Sequence, residues 1–183
     1  MVATVGALGL AFWVVGLPLA TGLVLREKAA LLENSKIKAR LGFLYSGYTR
    51  RAYFWEVITM VRKEAVAVLA TFLVSQGTSV QALLLLFLLG VSLLIQLRIH
   101  PFATPFLNTL ETSSLVALLV SVFAGLFFLG HRDTDSPFFR PGQDFALSTA
   151  ERWLLFLLIL AVNLVFFLRF ASRLLRTARR HLR

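Results

Sequence analysis

The chain of 183 residues has no cysteine. Disulfides, thiolate metal sites and cysteine nucleophiles are therefore excluded, while nothing follows about compartment. Histidine is scarce as well. His100, His131 and His181 fall in loops or the tail, on different sides of the spans read below, and form no metal cluster. No H-E-x-x-H, G-x-S-x-G or phosphate-cradling glycine loop is present. Without such a constellation the reading is non-enzymatic, with no cofactor. Acidic residues are few, nine against nineteen Lys and Arg, for a net charge of +10. In a soluble protein that balance would suggest nucleic acid. Here the basic residues sit beside long apolar runs, where they set membrane topology, and no nucleic-acid partner is expected.

What the chain has in abundance is hydrocarbon. It is 58% hydrophobic with 17 Phe, and its apolar runs are as long as a bilayer is thick. The fold class expected is an all-α integral membrane bundle of about five transmembrane helices, forming one membrane domain over residues 1–183. The spans run roughly over 2–25, 55–75, 80–97, 107–129 and 150–170, followed by a basic tail over 171–183. The first span is uncharged and exceeds the apolar length of a signal peptide, and no positive charge precedes it, so it reads as a retained helix. An outward N-terminus without a cleaved signal hints that further chain precedes it. Gly77 divides a 33-residue uncharged stretch, Ala65–Leu97, into the end of the second span and the third. The uncharged part of the fifth, Trp153–Leu168, is short, but Arg152 and Arg169 at its flanks can extend outward to lengthen it.

The distribution of Lys and Arg sets the orientation. Arg26–Arg51 carries seven, Arg62 and Lys63 follow, Arg98 lies on the third-to-fourth loop and the tail holds six. With five spans these 16 of 19 share one side, which places the N-terminus outside and the C-terminus in the cytoplasm. The plasma membrane is the favoured location.

The second span is unusual because it carries Glu56, Arg62, Lys63 and Glu64. An ionisable group near the bilayer centre costs about 2.5–3.5 kcal/mol on insertion scales, so such groups are expected to face the bundle and to be paired. At 100° per residue, Glu56, Met60, Lys63, Ala67 and Ala70 share one face, with Glu64 and Thr71 at its edge and Arg62 elsewhere. Glu111 enters the fourth span from the same side at similar depth. It is the expected partner of Arg62 or Lys63 in an intramembrane charge layer that Asn108 and Gln96 are placed to join. That layer reads either as a structural ion-pair network or as a gating or ligand-sensing latch.

Further polar positions carry two readings each. Asn163 sits mid-span in the fifth helix and either hydrogen-bonds a neighbouring helix or lines an ion path. The outer loop, residues 131–149, holds Asp133, Asp135 and Asp144; it is a plain hydrophilic loop or a re-entrant pore segment. Arg169, Arg173, Arg176, Arg180 and Arg183 form one helical stripe suited to anionic lipid at the cytoplasmic face. Ala3, Ala7 and Ala11 in the first span, and Ser113, Ala117, Ser121 and Gly125 in the fourth, repeat every four residues. Such small-residue faces suit close helix packing, sliding during gating, or association with other membrane subunits or with a second copy. Pro18 is expected to bend the first helix.

Several short motifs occur together: Gly42-Phe43-Leu44-Tyr45, Tyr48, Tyr53-Phe54-Trp55-Glu56, Arg62-Lys63-Glu64, His100-Pro101-Phe102 and Asn108-Thr109-Leu110-Glu111. The set, within roughly Leu41–Gly130, resembles the C-terminal membrane region of large surface proteins of algae, ciliates and oomycetes, whose bundle is similar to transient-receptor-potential (TRP)-like channel domains. The resemblance implies a channel-like or sensory module. In a six-helix channel plan the five spans would be the last five, with the Asp-rich loop between the final two. The chain departs from that plan in lacking a first helix and a recognisable filter. The alternative is a non-conducting anchor or assembly subunit of a larger complex. A transporter ranks third, because no symmetric pair of broken helices is visible.

Overall fold

The computed structural model describes residues 12–32, 34–73, 77–129 and 148–181, with side chains described in the last segment only at 148–173, 175 and 176. Every regular element among them is helical. A π-helical turn, Phe12–Gly16, leads into α1, Leu17–Glu27. The 3-10 turn Ala29–Leu31 follows, then α2, Ser35–Tyr45, the 3-10 turn Arg50–Ala52, and α3, Trp55–Phe72. The remaining helices are α4, Thr78–Ile99, α5, Pro105–Leu129, and α6, Thr149–His181. α4, α5 and α6 are each long and apolar enough to cross a membrane. α3 has 18 residues, about 27 Å at 1.5 Å per residue, but its four charges set it apart from those three. The first predicted span is described only from Phe12 onward.

Local chemistry accounts for most boundaries. Pro18 occupies the opening of α1, where a missing N–H costs nothing. It sits directly after the point where π winding gives way to α winding. α2 was not anticipated by hydropathy because its segment is polar. It starts at an Asn34 cap whose side chain accepts the Lys36 N–H at 3.0 Å. α4 ends at Ile99, and His100 turns the chain with φ +45° ahead of Pro101, a residue that cannot continue a helix. Gly77 has φ +94° just before α4, a conformation that suits glycine. α6 opens on a reciprocal box. The Ser148 N–H donates to Glu151 Oε2 at 2.7 Å and the Glu151 N–H to Ser148 Oγ at 3.3 Å. From there α6 runs without interruption through the predicted fifth span into the basic tail.

The chain divides into two compact units. The first is Met1–Val68 with Ile99–Asn108; the second is Leu69–Arg98 with Thr109–Arg183. In the first, Leu25, Tyr45, Ala52, Trp55 and Pro101 are buried, and Val57 of α3 faces Gly22 of α1, 3.9 Å from where a Cβ would stand, an ordinary van der Waals distance. In the second, Ala82, Leu89 and Gln96 are buried along α4 at seven-residue spacing, and Leu115, Ala117 and Ala124 along α5. The apolar stretch of α6 has no buried residue. Such outward hydrocarbon is what a bilayer, rather than water, accommodates.

Candidate functional site

The residues that carry the sequence motifs converge in the first unit. The loop before α3 and the loop after α4 pair as a short antiparallel bridge, Tyr48 with Phe102. The Thr49 N–H donates to the Pro101 carbonyl at 2.7 Å, and the Ala103 N–H to the Gly47 carbonyl at 3.0 Å. The rings of Tyr48 and Phe102 lie 5.0 Å apart. Asn108, on the first turn of α5, holds the same loop from the other side. Its Oδ1 accepts the Phe102 N–H at 3.1 Å and its Nδ2 donates to the Phe102 carbonyl at 2.9 Å. Both edges of one peptide residue are thus read by one amide, which fixes the loop where α5 starts. Asn108 was expected in the charge layer; in the structure its amide closes this clasp.

Tyr48 also links the clasp to α3. Its hydroxyl donates to Glu56 Oε2 at 2.6 Å, a charge-assisted bond when the carboxylate is ionised. Glu56 is therefore held by a phenol at the start of α3. Sequence reasoning found both residues but did not connect them; Tyr48 stands eight positions before Glu56 with a turn between, a separation that no helical period reveals.

The rest of the expected charge layer is distributed around α3. Trp55 is 3% exposed, and Arg62, seven residues on and so on the same face, is half-buried. Of the face expected to turn inward, Glu56 and Met60 are half-buried while Lys63, Ala67 and Ala70 are exposed, and Arg62, expected elsewhere, is half-buried. Burying an indole outweighs burying two alanines, so the Trp55 face takes the covered side. Glu64 is half-buried, with an Oε2 that is enclosed and has no hydrogen-bond partner. Glu111 is half-buried on α5, and Gln96 is fully buried on α4.

In the second unit, Asn163 Nδ2 donates to Ser121 Oγ of α5 at 2.9 Å and to the Ile159 carbonyl at 2.8 Å. The Ser121 hydroxyl in turn donates to Ala117 O at 2.8 Å. The small-residue face of α5 and the mid-span amide of α6, two separate features of the sequence, thus meet. Gln81 of α4 donates to the carbonyls of Leu69 and Ala70 at 3.2 and 2.8 Å, joining the last turn of α3 to the first turn of α4. Asp133, Asp135, Asp144 and Arg183 lie outside the described residues. Arg169, Arg173 and Arg176 lie on α6, with Arg176 Nε donating to Ser172 O at 3.2 Å. Arg180 is placed in that helix by its backbone alone. Among the described residues no three His, Asp or Glu side chains gather as a metal site.

Three helices of membrane length and composition mark a membrane helical module. Residues 1–136 match the transient receptor potential (TRP) ion channel family, and the chain belongs to that family. The match contains the whole clasp and every motif on which the resemblance was read. Cysteine repeat modular protein A of Toxoplasma gondii is 33% identical over 67 residues, 37% of this chain and 2% of that protein. The chain thus spans a very small part of this curated relative's length. No solved structure matches it.

Proposed function

We propose that the chain is a channel-like or sensory module with five spans, α1 and α3 to α6. The N-terminus is outside, the C-terminus is cytoplasmic, and the plasma membrane is its setting. The observation that carries this reading is the clasp, taken with the family. If α4 crosses the membrane, Thr78 and Ile99 lie on opposite faces. The clasp ties the loop before α3 to the loop after α4, so α3 has to return the chain across the bilayer to reach Thr78. That argument favours counting α3 as a span in spite of its charges, and it puts Glu56, Arg62, Lys63 and Glu64 on a membrane helix where charge marks function. Glu111 is the proposed counter-charge to Arg62 or Lys63, and this layer gates.

If the module conducts, cations pass near Asp133, Asp135 and Asp144 and near Asn163, and anionic lipid contacts the arginine stripe from Arg169 to Arg183. Flux of cations into liposomes carrying the purified chain tests this. Conductance that falls at least tenfold when the three Asp are changed to Asn supports a channel. No flux, with stable co-purifying membrane partners, supports the second reading, a non-conducting anchor or assembly subunit. The unburied apolar length of α6 favours that reading as much as it favours lipid. In neither reading is the module an enzyme.

A further inference from the structure

We infer that α6 carries a self-association seam, along which a second copy of this chain packs in parallel from the membrane into the basic tail. The inference goes beyond both readings of the function and needs only that α6 crosses the bilayer.

The sequence of α6 repeats in alternating steps of three and four. Leu154, Leu157, Ala161, Leu164 and Leu168 keep this rhythm in the predicted fifth span, and Ala171, Leu175, Ala178 and Leu182 continue it through the tail. Leu and Ala thus hold every a and d position of the heptads from Leu154 to Leu182. Between Trp153 and Leu168 every residue except Asn163 is apolar, so the tail sets the phase. There Arg169, Arg173, Arg176, Arg180 and Arg183 take positions b and f, on the far side, and Arg179 borders the seam at e. An apolar a/d repeat sustained over about three to four heptads marks a coiled coil. Neither lipid nor water imposes it, since a straight α-helix drifts about 20° per heptad from a strict seven-residue repeat.

This face is not used within the chain. Leu154, Leu157, Leu164, Leu168 and Leu175 are 50–66% exposed. Ala161 is exposed as well, and Ala171 is half-buried. The half-buried Leu155, Ile159, Val162 and Phe166 lie on the other side, the side from which Asn163 reaches Ser121 of α5. Arg169, Arg173 and Arg176 continue that inner side in the same steps. One face of α6 is therefore turned to its own chain and carries the arginines onward, while the opposite face presents the seam.

Lipid can cover only part of the seam. α6 has 33 residues with no Pro or Gly among them, about 50 Å at 1.5 Å per residue, against a hydrocarbon core of about 30 Å. Leu168 is the last residue before the arginines begin. Leu175 stands two turns further on, about 10 Å, among headgroups and water, with 61% of its surface exposed. Apolar surface there is stabilised by protein contact, which removes it from water. A second copy supplies that contact. All copies insert with one orientation, so their seams run parallel and in register, Leu beside Leu and Ala beside Ala. The arginines at b and f stay outside the pair, where their like charges do not meet.

The native absence of cysteine makes the test direct. Single cysteines are placed in the full chain in proteoliposomes and oxidised with copper phenanthroline. Leu164→Cys, Leu168→Cys and Leu175→Cys are expected to give disulfide-linked dimers in at least tenfold higher yield than Val162→Cys, Arg169→Cys and Arg176→Cys. The yields should survive tenfold dilution with lipid. Equal yields on the two faces overturn the seam, and yields that fall with dilution reduce it to random collision and overturn it too. No cross-link at any position, with the purified chain monomeric, means that something else covers this face and overturns the second copy. Leu175→Lys lies beyond the hydrocarbon and keeps the basic character of the tail. In mild detergent it should weaken self-association tenfold or more by light scattering, while Arg176→Gln should leave it unchanged. Unaltered association in Leu175→Lys, or an equal loss in Arg176→Gln, overturns the proposal for the tail. Conduction plays no part in these readouts, so their failure leaves the channel reading intact.

Discussion

At the scale of single residues, Tyr48 does the most with the least. Its backbone closes the bridge to Phe102, its ring packs on that residue, and its hydroxyl holds Glu56. A hydrogen bond to a charged acceptor contributes about 1.5–3 kcal/mol net, and removing the donor leaves a half-buried carboxylate short of a partner. Tyr48→Phe should therefore lower stability by about 1–3 kcal/mol in detergent unfolding. A double cycle with Glu56→Gln should show that the two losses do not add. Additive losses would mean that the 2.6 Å contact contributes nothing of its own. Tyr48, Glu56, Pro101, Phe102 and Asn108 were all visible in the sequence within a set of short motifs, whereas Gly47, Thr49 and Ala103 were not. Their joint purpose was not visible either, because Gly47, Tyr48, Phe102 and Asn108 are separated by two whole helices.

At the scale of elements, the α5–α6 pair shows how an apolar helix can carry one polar contact. Ser121 already satisfies its proton on Ala117 O and accepts from Asn163. Replacing Asn163 by Val removes one donor and leaves no unsatisfied hydroxyl proton. Interhelical hydrogen bonds in membranes average about 0.6 kcal/mol, with a maximum of about 1.7. Asn163→Val should accordingly cost under about 1.7 kcal/mol, read by unfolding in mixed micelles. If Asn163 also lines an ion path, the same variant changes unitary conductance by far more than this stability loss accounts for. A conductance equal to wild type would confine Asn163 to packing. Helix existence and type were legible throughout this unit: α4 and α5 fall within two residues of the predicted third and fourth spans at each end. α6 was legible as a span and as a stripe, since a 3.6-residue period continues from one to the other. α2 was not legible from hydropathy, being a polar helix marked only by its Asn34 cap. The facing of Arg62 and Lys63 on α3 differs from that expected because small residues and charges were weighed above one tryptophan.

At the scale of the whole molecule, topology is the property that everything else depends on. The absence of native cysteine makes it directly measurable. Single cysteines at Ser46, Ala103, Ser148 and Ser172 can be labelled in intact proteoliposomes by an impermeant thiol reagent. With five spans, Ser46, Ala103 and Ser172 should label from one face and Ser148 from the other. Labelling of Ser46 and Ala103 from opposite faces would remove α3 from the spans and break the clasp argument with it.

The sequence by itself determined the membrane class, the apolar helices and the charge bias of their flanks. Hydropathy and positive charge act locally and nearly additively, so a window of twenty residues contains them. The tertiary structure alone decided that the loops at Tyr48 and Phe102 are one site and that Asn163 finds Ser121. Each of these depends on the distance between residues far apart in the chain. That distance is set by how helix lengths and tight turns return the chain to the same place, a sum over the fold that no local pattern records.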